Sequence, residues 1–332
     1  MFNRRQFLAA SACTTTLAGW PVLSRAQAPD TARVLVGFPA GGTVDAVARR
    51  VADKLRGSFA KTVLVENKPG AGGRLAVEEL KRSAPDGSTL LVTPAAMITL
   101  YPHLYTRLPY GIGDVTPVST VAQVAFAFGV GPAVPESVKT LKDFLAWAQA
   151  NPALANYGSP GAGTPPHMIG ALLSKESGVE LRHVPYRGSA PGIQDLLGGQ
   201  VTAFSSPIGD YLPHLKTGKL RVLATSGPTR SIFAPHAPTY TEQGFKAEQG
   251  FKALELVEWY GVFLPAKASA EVVQRAAAAL RAGMDTPEMA EALSAFGMEV
   301  KLNSPAELAK AVKAENAAWG PIVKRVGFTP EA

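Results

Sequence analysis

The sequence predicts an α/β chain folded as two lobes facing one another across a cleft, and three observations carry that expectation. Short β-branched strands alternate with amphipathic helices, the pattern of parallel sheets covered by helices. A glycine-rich strand-to-helix turn at residues 38–43 has a counterpart at residues 158–164. Two long apolar stretches, residues 117–130 and 255–264, stand where the chain would cross from one lobe to the other and back.

Residues 1–28 read as a signal peptide. Arg4 and Arg5 precede an apolar run of small residues to Leu23, and Ala26-Gln27-Ala28 fits a small-x-small cleavage site. The paired arginines before Gln6-Phe7-Leu8 look like a twin-arginine export signal, with Asn3 where Ser or Thr is usual; general secretion is the alternative. Cys13 lacks the leading Leu of a lipoprotein signal, so lipidation is not expected. Cleavage near Ala28 would release an exported protein. It would remove the only cysteine and three of 33 basic residues, leaving 30 against 26 acidic ones, a net charge of +4 instead of +7. A disulfide is then impossible. A small positive charge without basic clusters argues against nucleic acid and suits mild attraction for small anions. No other apolar run is long enough to span a bilayer.

Residues 33–37 are apolar and β-branched, as a buried strand requires, and residues 38–43 turn the chain into a helix with Val44, Val47, Val51 and Leu55 at helical spacing. Such a turn leaves the first N–H groups of the helix unpaired with the positive end of the helix dipole behind them, which suits an anion. A plain turn with Thr43 as N-cap is the competing reading. The turn matches neither GxGxxG nor GxxxxGK[ST], which disfavours a dinucleotide or a nucleoside triphosphate. Strands at 62–66 and 88–93 enclose a helix through Leu75, Val77 and Leu80. The strip at 117–130 is long for one strand, and Thr140 with Asp143 three residues on caps a helix over 140–149. The second lobe repeats the device, with strand 155–157, the glycine turn, and a helix carrying Met168, Ile169, Leu172 and Leu173 behind Thr164 as N-cap and two prolines suited to a first turn. Strands at 182–186, 201–205 and 220–225 and helices at 191–197 and 211–215 complete it. After the return at 255–264, helices 270–284 and 287–296, strand 298–302 and helix 305–326 close the first lobe. The expected lobes are 29–124 with 258–332, and 125–257. A tandem hexapeptide, EQGFKA at 242–247 and again at 248–253, is too short for a solenoid and reads as a local loop extension.

Six ordered motifs carry a resemblance across essentially the whole mature chain: Phe38-Pro-Ala-Gly-Gly-Thr-Val-Asp45, Val65-Glu-Asn-Lys-Pro-Gly-Ala-Gly-Gly73, Tyr157-Gly-Ser-Pro-Gly-Ala-Gly-Thr164 with His167, Val184-Pro-Tyr-Arg-Gly188, Asp195-Leu-Leu-Gly-Gly-Gln-Val201 and Trp259-Tyr-Gly261. Together they resemble the Bug family, periplasmic solute receptors associated with tripartite tricarboxylate transporters. The resemblance implies a two-lobe type II periplasmic-binding-protein fold that closes on a small carboxylate, with membrane transporter subunits as potential partners, no cofactor, and a monomer. It also implies two clamps, Phe38, Pro39, Ala40, Gly41, Gly42, Thr43 and Asp45 from the first lobe, and Ser159, Gly161, Ala162, Gly163, Thr164 and His167 from the second. Backbone N–H groups of both turns would hold the carboxylate, with Gly42 and Gly161 expected at positive φ or at the point of close approach. Asp45 either meets the ligand or caps the helix.

Three further residues complete the expected site. Arg187 offers a fork to a second carboxylate or is a solvated turn residue, and Ser189 follows it in the same turn. Ser206 stands near a strand end where the family often carries an acid, so an ammonium would lack a counter-charge, and an amine-free mono- or dicarboxylate is expected. A hydrolase is disfavoured because Tyr157-Gly-Ser-Pro-Gly161 has Tyr where GxSxG needs Gly, and none of the five histidines sits in a close ligand pair for a metal. A sensor subunit of a signalling system remains the alternative to a transport receptor.

Overall fold

The computed structural model describes residues 29–245 and 252–328. The signal segment and most of the second EQGFKA copy lie outside the described residues. In chain order the elements are β1 (Thr31–Val36), α1 (Thr43–Leu55), β2 (Thr62–Asn67), α2 (Arg74–Arg82), β3 (Thr89–Pro94), α3 (Ala96–Thr99), α4 (Tyr101–Leu104), β4 (Val115–Val130), α5 (Leu141–Ala150) and β5 (Asn156–Ser159). Then come α6 (Pro165–Ser177), β6 (Arg182–Pro185), α7 (Ser189–Leu197), β7 (Ala203–Pro207), α8 (Leu212–Leu215), β8 (Arg221–Thr225), β9 (Val257–Pro265), α9 (Ala270–Met284), α10 (Pro287–Ser294), β10 (Met298–Val300) and α11 (Pro305–Val326).

The strands form one mixed sheet in the order β2-β1-β3-β9-β4-β7-β5-β6, with β10 and β8 also on β4. The βα units give parallel pairs, β1 with β2 and β3, and β5 with β6 and β7. The crossing strands depart from the expected parallel pattern: β9 is antiparallel to both β3 and β4. A segment that leaves one half of the molecule and another that returns must run in opposite directions.

The apolar strip that looked long for one strand is a single strand of 16 residues. Its first part, Val115 to Ala125, pairs with β9, and Phe126 to Val130 pairs with β7 and β8. Register shifts near Pro117 and Thr120 mark bulges, which bend a strand and let it serve two partner sets. β4 is therefore the spine that joins the halves.

Side-chain alternation distributes the core by face rather than by half. Leu35 and Leu91 point into one apolar cluster with Ala76, Val77 and Leu80 of α2, and that cluster continues to Phe128, Phe144, Tyr157 and Leu172. Val34, Val36, Leu90 and Val92 point the other way, onto Val47, Val51 and Leu55 of α1, and that cluster continues to Ile193, Phe204 and Tyr211. Local signals fix several helix ends. Thr140 accepts from the Asp143 N–H at 3.1 Å while the Asp143 carboxylate accepts from the Thr140 N–H at 2.9 Å, a reciprocal cap of α5 worth about 1 kcal/mol.

Candidate functional site

The first glycine turn is held by charge. Gly41 has φ +91°, and α1 begins at Thr43 with Gly42 as its N-cap and no side-chain cap, so Thr43 is not the cap its sequence suggested. Thr43 instead donates its hydroxyl to Asp210 at 2.8 Å. Asp45 is 3% exposed and accepts from the Gly41 N–H at 3.0 Å, Arg49 Nε at 2.9 Å and Asn67 Nδ2 at 2.9 Å. Asn67 also donates to the Phe38 carbonyl at 2.9 Å, which ties the turn to β2. Burial pushes the Asp45 carboxyl up, but the bonds from Arg49, Gly41 and Asn67 outweigh it and hold the group below its ordinary value. Asp45 orders the turn from behind.

The second turn is held by neutral groups. Ser159 is fully buried, donates to the Gly161 carbonyl at 3.0 Å and lies 2.8 Å from His183 Nε2. With the Ser159 proton given to Gly161, the His183 tautomer that fits this contact is the one protonated on Nε2. Thr164 also donates to the Gly161 carbonyl, at 2.7 Å, and so does not cap α6 with its side chain. The Gly163 N–H donates to His167 Nδ1 at 3.0 Å, and the His167 and His183 rings stack with centroids 3.7 Å apart. Burial drives both imidazoles down, His167 to about 4 and His183 to about 3, the latter also through His167. Ser159 is fully buried and borders none of the grooves described below, so the Ser–His contact holds the turn.

A mostly apolar cavity of roughly 590 Å³, counting its open mouth, lies between these turns. Phe38, Pro39, Gly42 and Thr43 border it from the first turn, Pro160, Thr164, Pro165 and Pro166 from the second, and Gly188, Ser189 and Ala190 from the start of α7. Phe126 of β4 and Glu258 and Tyr260 of β9 also line it. The N–H groups of Thr43 and Val44, and those of Ser189 and Ala190, stand at helix starts where no intrahelical carbonyl can pair them. Pro165 and Pro166 have no N–H, so the start of α6 offers the cavity rings instead of donors.

The expected residues therefore divide. Phe38, Pro39, Gly42, Thr43, Thr164 and Ser189 border the cavity. Gly161, Ala162 and Arg187 border an adjoining groove with Pro69 and Gly72, and Arg187 does not border the cavity. Gly41 borders a further groove beside Asp210, while Ala40 and Gly163 border none of the three. Asp45, Ser159 and His167 are turned inward as described. Positive φ falls on Gly41 and Gly163 (+76°), not on Gly42 and Gly161. Ser206 is bonded to Asp210, and its hydroxyl lies 3.0 Å from that of Ser189.

Two acids were missed, Glu258 buried and Asp210 half-buried. Asp210 receives bonds from Ser206, Ser189 and Thr43; burial pushes its carboxyl up and these bonds partly offset that. Its presence corrects the expectation that no acid stands near Ser206; it follows that strand by one short turn. Glu258 is 2% exposed, lines the cavity, accepts from the Ala96 N–H at 3.0 Å, and is raised to about 8 by burial and by Glu315. A lone acid in the apolar run of β9 was the available signal. Among the described residues, no group of three or more His, Cys, Asp or Glu is placed to hold a metal ion, and no helix is long and apolar enough to cross a membrane.

The model of the family described as tripartite tricarboxylate transporter family receptor matches residues 47–328. The UPF0065 protein of the gbd 5′ region of Cupriavidus necator is 33% identical over 309 residues, 90% of this chain and 88% of that protein. Among solved structures, periplasmic binding protein BugD superposes with a TM-score of 0.83 at 29% identity, covering 91% of this chain and 99% of its own. An R. palustris protein with adipate gives 0.84 at 27% identity, covering 94% and 100%. MatC of Rhodopseudomonas palustris with bound malate gives 0.80 at 26% identity, covering 88% and 98%.

Proposed function

The chain belongs to the tripartite tricarboxylate transporter receptor family, a family of periplasmic solute-binding proteins and not of enzymes, and on that premise we propose that it captures a small carboxylate between its two halves and presents it to membrane subunits for uptake. One observation carries the reading. The starts of α1 and α7, from opposite halves of the molecule, border one mostly apolar cavity with the N–H groups of their first turns, while the Thr43 and Ser189 hydroxyls are committed to Asp210. A carboxylate there accepts from both helix starts at once, so binding favours the closed arrangement in proportion to its extra contacts. Residues 29–124 with 258–332, and 125–257, are the lobes that close, hinged on β4 and β9; residues 1–28 are the cleaved signal. The ligands of two relatives, malate and adipate, support a carboxylate here as well.

Calorimetry of the processed protein against acetate, propionate, succinate, malate, glutarate and adipate tests this. At least one acid binds with micromolar affinity or better and is recovered unchanged. A blank across the panel with protein shown to be folded would overturn the reading.

A further inference from the structure

Glu258 lines the cavity while bonded to backbone N–H at the start of α3. It stands on β9, the return crossing, lines the same cavity as the two helix starts, and is almost wholly removed from solvent. One oxygen, Oε1, accepts from the Ala96 N–H at the start of α3. The ionisable groups that act on it are Glu315 from α11, with Tyr101 of α4 and its neighbour Tyr260 electrostatically coupled to it. None of these is a cation. Glu315 is itself occupied by Trp259 Nε1 at 2.6 Å, Thr99 Oγ1 at 3.0 Å and Trp319 Nε1 at 3.4 Å.

We propose that Glu258 sets the ligand class: as a neutral acid it donates its proton to the far carboxylate of a dicarboxylate whose near carboxylate rests on the starts of α1 and α7. This deepens the carboxylate reading and rests on it. A carboxylic acid bonded to a carboxylate is a short, charge-assisted pair, and an apolar wall strengthens it. A monocarboxylate of the same length would leave the acid without that acceptor, and a hydrophobic tail alone would gain less. The acid is placed to serve without prior protonation at neutral pH, because burial and Glu315 raise it to about 8. Above that pH the ionised group would face a second carboxylate with like charge. The opposite use, an ionised Glu258 pairing with a ligand ammonium, would require the proton to leave first and gives the opposite pH dependence.

The experiment is calorimetry of the full processed protein with succinate, glutarate and adipate, each beside its monocarboxylate of equal length, at pH 7 and pH 9, with aspartate and glutamate as amine probes. At least one dicarboxylate should bind and weaken about tenfold between pH 7 and pH 9, as the neutral fraction of an acid titrating near 8 falls. Its monocarboxylate partner should bind more weakly with little pH dependence. Glu258→Gln keeps an oxygen for the Ala96 N–H and an N–H for the ligand, so it should bind the dicarboxylate within about threefold of the parent at pH 7 and lose the pH dependence. Circular dichroism at both pH values confirms the fold. Dicarboxylate binding that is equal at pH 7 and pH 9 would overturn the role of Glu258 while leaving the receptor reading intact. So would a pH dependence that survives Glu258→Gln and disappears in Glu315→Gln, or amino acids that bind more tightly at pH 9. A blank with every acid would overturn both.

Discussion

Around residues 38–43 an ionised carboxylate, Asp45, gathers three N–H donors, whereas around residues 159–164 two hydroxyls and two uncharged imidazoles hold the backbone. The turns share a glycine-rich sequence and a position at the end of a parallel strand, yet they lose stability to acid over different pH ranges, the histidine turn first and the Asp45 turn only at lower pH, and they present different chemistry to the cavity. The first ends in a helix start with free donors. The second ends in two prolines, so its donor role passes to the neighbouring start of α7. A turn's sequence motif thus specifies the backbone path, and the side chains behind it decide charge and donor supply.

Acid should break that comparison most strongly. His167 and His183 have folded values far below the ordinary imidazole value, so the unfolded chain binds more protons as pH falls below about 6.5. Their contribution is complete above that pH and is lost on the way down to about 4 and 3. Asp45, held below its ordinary value, stays ionised over most of the same range. Stability should drop by roughly 3 kcal/mol or more between pH 7 and pH 4, and denaturant titrations of His167→Gln/His183→Gln should show a flatter slope. An unchanged slope in the double variant would place the acid sensitivity elsewhere.

Asp45→Ala attacks the first turn directly. It strands the Gly41 N–H and the Asn67 amide, and should cost about 2–3 kcal/mol, visible as a lower melting temperature, together with most of the carboxylate affinity. A full-affinity variant would mean that the turn keeps its shape without Asp45.

The glycines sharpen the contrast on a smaller scale. Gly163→Val combines φ +76° with a Cβ 2.7 Å from the Tyr105 hydroxyl, whereas Gly41→Ala at φ +91° meets nothing within 4 Å. Losses of about 2 and about 1 kcal/mol respectively are expected from melting curves. Equal losses would show that contact adds nothing to backbone strain. Smallest of all, Thr43→Val removes one bond to Asp210 and should weaken ligand binding two- to fivefold with about 1 kcal/mol of stability.

Much of this architecture was legible in the sequence because it rests on local signals. The Thr140–Asp143 cap, the stripe of α1 and the bounds of α9 and α11 follow from spacing and capping residues that act within one turn of chain. The site was legible only as backbone. Phe38, Pro39, Gly42, Thr43, Thr164 and Ser189 reach the cavity, but Asp45, Ser159 and His167 turn away because each finds partners inside its own turn. Their direction depends on Asn67 and His183, which belong to other strands. Asp210 and Glu258 were missed for the same reason, since a buried or half-buried acid is recognised by what surrounds it in space. The antiparallel crossings and the bulged β4 likewise depend on partners more than 100 residues away.

The most direct test of capture between the two halves is an amide titration of the isotope-labelled processed protein by nuclear magnetic resonance, with the tightest-binding acid at pH 7. The backbone amides of Gly42, Thr43 and Val44 and those of Ser189 and Ala190 should shift together, with one midpoint equal to the calorimetric affinity. Shifts confined to one set, or binding that leaves both sets unmoved, would contradict it.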